Sequence, residues 1–223
     1  MSEKYNHKLG LLGLGSRSTL YYIERLNNSY QKKYGGYSTC PFVLYNANFE
    51  LLNPYLPNDF RTLEPNLSSI LENLGSIKAE QWIIPNITLH ETYDRLENKI
   101  NILHPIELGI QAVKNSSSST AVLFGSRYSM TSNYIKQAFE TKGIKIIKPT
   151  KTEMEDIEAM RNKLYSASET AKDIRVFETL RAKYLEHYPV IIACTELSLL
   201  SNIDSKYLID LAYLQINAAV QNL

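Results

Sequence analysis

Short, continuous apolar runs separated by longer amphipathic stretches set the strongest limit on how this chain can fold. The runs are LGLLGL (residues 9 to 14), PFVLYN (41 to 46), QWIIP (81 to 85), TAVLFG (120 to 125), IKIIKP (144 to 149) and PVIIAC (189 to 194). Most are rich in Ile, Val and Leu and close on Gly, Pro, Asn or Cys, as strands covered on both faces of a parallel sheet do. Helical patterns lie between them at residues 18 to 33, 64 to 78, 90 to 99, 130 to 142 and 169 to 187. This alternation predicts an α/β fold with parallel strands and helices on both faces.

An internal echo divides the pattern. One apolar run leads into Gly15-Ser16-Arg17-Ser18 and another into Gly125-Ser126-Arg127-Tyr128-Ser129, 110 positions later. The run WIIPN ends on Asn86 and VIIAC on Cys194, 108 positions later. Two matches at nearly equal spacing predict two similar α/β units, and 223 residues with 44% hydrophobic content suffice for one domain or two small ones. The serine run at 116 to 119, after the helical ELGIQAVKN, is either a linker or the loop from a helix to its next strand. Ligands of open α/β sheets sit beyond the carboxyl ends of strands. Facing halves are therefore expected to place Ser16, Asn86, Ser126 and Cys194 around one cleft between domains.

Composition narrows the chemistry. Two cysteines in a chain of this size argue for a reducing compartment, and LGLLGLG is too short and glycine-rich for a signal segment or membrane span. A cytoplasmic protein is expected. With 24 basic and 23 acidic residues there is no field to recruit nucleic acid or an anionic membrane. The 16 tyrosines form no stacking code, and His7, His104 and His187 show no metal-ligand spacing. Gly13-Leu14-Gly15 hints at a dinucleotide loop, but Ser18 occupies the third glycine position. The expected ligand is a small molecule, without metal or cofactor.

Cys194 follows a buried run and precedes Thr195-Glu196, where a strand should pass into a helix start. Amides and the dipole at such a place stabilise a thiolate able to act as a base. Alternatively Cys194 is a small buried hydrophobe, as free cysteines often are. Arg17 and Arg127 either clamp carboxylates or are solvated. His90 begins a helix and serves packing, capping or chemistry. Cys40, in STCP, reads as structural.

Several segments together resemble the aspartate/glutamate racemase superfamily. IIACTELSLL (191 to 200) is similar to its GCTE motif, with Ala193 in place of Gly; LGLLGLGSRSTLYYIERLN (9 to 27) resembles its opening loop and helix. VLFGSRYSM (122 to 130) resembles its GTRYTM loop, and IIPNITLHETYDRL (83 to 96) its Cys-Asn-Thr-x-His segment, with Thr88 and His90 in register. The resemblance implies two pseudo-symmetric Rossmann-like domains, residues 1 to 105 with 206 to 223 and residues 106 to 205, a homodimer, and cofactor-independent proton transfer on an acidic amino acid or dicarboxylate. It implies catalytic roles for Cys194, Asn86 and Thr88, and substrate contacts from Gly15, Ser16, Ser126, Thr195, Glu196, Arg17 and Arg127.

Departures matter equally. Asn86 stands where the superfamily has its first cysteine, Ile87 where it has a carboxylate-binding Asn, and Gln215 where it has a helical His. An amide is no acid or base near neutral pH. Three readings compete: an asymmetric racemase with Cys194 on one face and a water or hydroxyl held by Asn86 and Thr88 on the other, a single-thiol decarboxylase or isomerase, or a binding protein without turnover.

Overall fold

The computed structural model describes residues 7–97, 100–201 and 205–223. Two units divide the chain, Met1–His104 with Gln215–Leu223 and Pro105–Leu214.

The first unit opens with β1 (His7–Gly13), α1 (Ser16–Tyr34) and β2 (Val43–Asn46), and continues through α2 (Phe60–Ser76), β3 (Ala79–Ile83) and α3 (Leu89–Arg95). Its sheet has the order β2-β1-β3, all parallel. From Leu9 onward β1 is wholly buried, as its unbroken apolar run requires. β2 is an edge strand with alternating exposure, and Leu44 stays 41% exposed, so PFVLYN is not covered on both faces as expected. The core gathers Leu12, Leu63, Leu67, Leu74, Trp82 and Ile84 beneath α2 and α3. Residues beyond 214 complete this unit. Buried Gln215 accepts from the Tyr22 hydroxyl at 2.9 Å and donates to the Leu103 carbonyl at 2.6 Å. Lys33 Nζ donates to the Val220 carbonyl at 2.9 Å, and Asn222 Nδ2 to Gln81 Oε1 at 3.0 Å.

The second unit runs α4 (Pro105–Asn115), β4 (Thr120–Gly125), α5 (Arg127–Thr131), α6 (Tyr134–Glu140), β5 (Lys145–Ile147), α7 (Lys151–Tyr165), α8 (Ala171–Leu185), β6 (Val190–Ala193) and β7 (Leu208–Asp210). Helix α9 (Leu211–Gln221) follows β7 and carries the chain across residue 214. The sheet order is β5-β4-β6-β7, again parallel. Its first three strands repeat β2-β1-β3, so the sequence echo corresponds to one strand order used twice. The core of this unit includes Val122, Phe124, Ile157, Met160, Phe177, Val190 and Ile192.

Several expected boundaries move. Helix α2 begins at Phe60 rather than 64, with Pro65 inside it; Leu63 N bonds Asp59 O at 2.9 Å, so a turn forms ahead of the proline. The expected helix 130 to 142 is two helices, α5 and α6. The expected helix 90 to 99 ends at Arg95 in the structure, and positions 98 and 99 lie outside the described residues. Helix α7 and strand β7 are not among the expected elements. Among the described residues no helix is long and apolar enough to cross a membrane.

Gly10 is fixed by packing. It pairs with Trp82, and a β-carbon on Gly10 would lie 2.4 Å from that ring. Gly10→Ala is expected to cost about 1–3 kcal/mol, the usual range for overpacking a filled core, seen as a lower urea midpoint with an unchanged slope.

Candidate active site

Each sheet sets two loops side by side. In the first, Leu11 pairs with Ile83, so the loop after β1 and the turn that carries Asn86 leave neighbouring strands of one sheet. In the second, Gly125 pairs with Ala193, so Ser126 and Cys194 leave neighbouring strand ends together. These are carboxyl ends, where α/β sheets bind ligands.

The β1 loop is tightly bonded. Leu14 N donates to Thr19 Oγ1 at 3.0 Å, while the Gly15 carbonyl accepts from Thr19 N at 2.9 Å and Ser18 Oγ at 3.0 Å. A side chain on Gly13 would strike Asn46 Oδ1 at 2.4 Å, so the chain passes there on backbone alone. Ser16 is exposed at the first position of α1, and Arg17 beside it is half-buried.

Asn86 is held at three of its four polar groups. Its N–H donates to Ile84 O at 2.8 Å, its Oδ1 accepts from Leu89 N at 3.0 Å, and its carbonyl meets His90 Nδ1 at 2.8 Å. A carbonyl can only accept, so Nδ1 carries the proton. The Nδ2 donor is the group these bonds leave over. Ile87 is 3% exposed and packs inward, so it has no carboxylate-binding role. Thr88 is half-buried just before α3, and its hydroxyl makes no cap to that helix.

In the second unit Ser126 caps α5, its Oγ accepting from Ser129 N at 3.1 Å and lying 2.9 Å from Ser129 Oγ. Arg127 N donates to Glu158 Oε2 at 2.7 Å, while the Arg127 side chain points outward and is exposed. Cys194 is 8% exposed and donates from Sγ to Glu196 Oε2 at 2.9 Å. Thr195 is buried and reaches the same oxygen at 3.4 Å. Ser198 ties this turn down, its N–H on the Cys194 carbonyl at 3.2 Å and its Oγ on Asp210 Oδ1 at 2.8 Å.

This arrangement corrects the expectation of a ready thiolate. Beyond Cys194 the chain makes a single 3-10 turn, Leu197–Leu200, with no side-chain cap, and not a longer helix. Burial pushes the Cys194 thiol well up, and the Glu196 charge and hydrogen bond push the same way; Arg161 opposes them. Cys194 is thus held as a thiol, its proton donated to Glu196 Oε2. Cys40 is also buried, and burial pushes its thiol up to about 11.

Sequence reasoning missed Glu158 and Arg161 of α7, which meet at 2.6 Å. The helix is strongly charged, so its apolar stripe is faint; the Thr150 to Glu153 capping box was the available signal. It also left His90 open. That ring is fully buried, 5.0 Å from His104, with Nε2 unpartnered among the described residues. Burial, then the nearby His104, lowers its pKa from 6.5 to about 3. Between these values the unfolded chain binds a proton that the folded chain refuses. The stability His90 contributes is thus complete above pH 6.5 and lost as pH falls toward 3. Urea midpoints taken from pH 7 to 4 should show a decline that His90→Asn flattens, on the order of 3 kcal/mol at pH 4.

No family model and no curated protein matches this sequence. Solved structures do match. A candidate Asp/Glu racemase from Yersinia pestis is 24% identical, with 96% of this chain and 97% of that one covered and a TM-score of 0.77. An aspartate racemase homologue from Pyrococcus horikoshii OT3 is 22% identical over 96% and 97%, also at 0.77. The Picrophilus torridus aspartate racemase is 18% identical over 96% and 93%, at 0.75. At these identities the likeness is one of fold: the chain carries the α/β fold of the aspartate/glutamate racemases, with a parallel sheet in each of its two units.

Proposed function

We propose that this chain is a cofactor-independent enzyme of the aspartate/glutamate racemase superfamily that moves the α-proton of an acidic amino acid, aspartate or glutamate. Cys194 is its thiol acid/base. The observation that carries the reading is the contact of Cys194 Sγ with Glu196 at the carboxyl end of β6. Glu196 takes the thiol proton, and the thiolate then removes the α-hydrogen, leaving its electron pair delocalised into the substrate carboxylate. Return of a proton from a water or hydroxyl held by Asn86 and Thr88 completes inversion, and the proton taken by Glu196 passes back through solvent to the donor left deprotonated. Asn86 Nδ2, as a donor, makes such a water a better acid. Gly15, Ser16, Arg17, Ser126, Arg127 and Thr195 are the proposed substrate contacts. The reading carries with it a cytoplasmic, homodimeric protein.

A second reading draws on Asn86 itself. With Oδ1 committed to Leu89 N, its side chain offers a hydrogen-bond donor and no proton. Such a site suits decarboxylation of a malonate-type acid: the carbon–carbon bond breaks, carbon dioxide leaves, and the resulting enolate, held by donors, takes a proton from Cys194.

Proton NMR in deuterated buffer with aspartate, glutamate and other amino acids separates these readings. Exchange at Cα with both enantiomers formed, abolished in Cys194→Ala, is the expected result. Carbon dioxide release from malonate-type acids would favour the second reading. Ligand-induced thermal stabilisation without exchange in any acid would overturn both and leave a binding protein. Asn86→Cys restores a second thiol and is expected to raise racemisation at least about tenfold, in the range that one acid/base group contributes.

A further inference from the structure

A half-buried charge cluster on α7 lies outside the proposed reaction. Arg161 donates from Nε and Nη2 to Glu158 Oε1 at 3.0 and 2.6 Å, and from Nη2 to Asn162 Oδ1 at 2.7 Å. The second oxygen of Glu158 accepts Arg127 N, the residue after Ser126. Helix α7 packs against both α5 and the 3-10 turn beyond Cys194. Its Ile157, Met160 and Leu164 share one buried cluster with Cys194 and Leu197, so Arg161 extends from a helix seated on the thiol's own surroundings. The side chains of Arg161 and Glu158 are only 23% and 21% exposed, which leaves their charges poorly screened.

We propose that Arg161, clamped by Glu158, is a positioning residue that sets the charge balance of the Cys194 and Glu196 pair. This rests on reading Cys194 as the reacting thiol. Burial and Glu196 both disfavour the thiolate, and Arg161 is the cation that opposes them. The Cys194 and Glu196 charges act back on Arg161 and favour its cationic form. Glu158 fixes the guanidinium by a two-nitrogen grip and offsets part of its field. The other charged groups packed around this turn have their own partners: Asp210 of β7 accepts from Ser198, and Arg181 of α8 donates to Leu200 O at 2.7 Å.

The two ends of the clamp must therefore act with opposite sign. Loss of Arg161 leaves Glu196 alone against the thiol and disfavours the thiolate. Loss of the Glu158 charge frees the field of Arg161 and favours it. In full-length protein carrying Cys40→Ser, iodoacetamide labelling of Cys194, followed by mass spectrometry from pH 7 to 9.5, reads the thiolate fraction. Arg161→Gln is expected to slow labelling about threefold to tenfold at fixed pH and Glu158→Gln to speed it by about threefold. Arg161→Lys should fall between Arg161→Gln and the parent, and its sign decides the matter if Arg161→Gln does not fold. Unchanged labelling in the Arg161 variants, or acceleration in both Arg161→Gln and Glu158→Gln, would overturn the proposal, since loosened packing speeds labelling in both. Persistence of Cα exchange in Cys194→Ala would instead sink the functional reading. That result is independent of the labelling order.

Discussion

Parallel pairing in a fixed register is the constraint on which the rest of the structure depends. Once Gly125 lies opposite Ala193, the next residue on each strand is set, and Ser126 and Cys194 emerge as neighbours whatever the loops beyond them contain. The pairing of Leu11 with Ile83 likewise fixes which strand ends of the first sheet are neighbours. Ser126, Cys194, Thr195 and Glu196 all stand one to three residues beyond the Gly125–Ala193 pair. The central strands that hold this register are buried almost throughout.

Much of this was legible in the sequence. Continuous apolar runs mark β1, β3, β4 and β6, and the recurrence of Gly-Ser-Arg after two of them points to two similar α/β units, matched by two parallel sheets. β2 misled because Val43 and Leu44 are apolar on an edge, where exposure alternates. β7 has three residues, too few to carry a periodicity, and α7 hides its stripe among charges. Of the site, Cys194, Glu196, Ser126 and Asn86 were visible as loop residues after apolar runs. The ionisation state of the thiol was not. Burial and the approach of a carboxylate two residues away are properties of the folded turn, and a sequence shows only that Glu196 is near along the chain. Arg161 was invisible for the same reason.

The contrast between Cys194 and Asn86 is one of mobility of protons. Cys194 has a proton and a carboxylate to exchange it with. Asn86 is tied by three bonds and has only a donor to offer.

The grip of Gln215 on Tyr22 and Leu103 bears on how the protein is made. All three strands of the first sheet lie ahead of residue 104, yet two of the contacts that finish the unit come from more than a hundred positions downstream. During synthesis the early unit leaves the ribosome before Gln215, which bonds its Tyr22 hydroxyl and Leu103 carbonyl, while the later unit is already continuous in sequence up to residue 214. The segment made first is thereby the one completed last. Its final closure is a long-range contact of the kind that slows folding, and the nascent chain must keep that first unit soluble until residue 215 arrives.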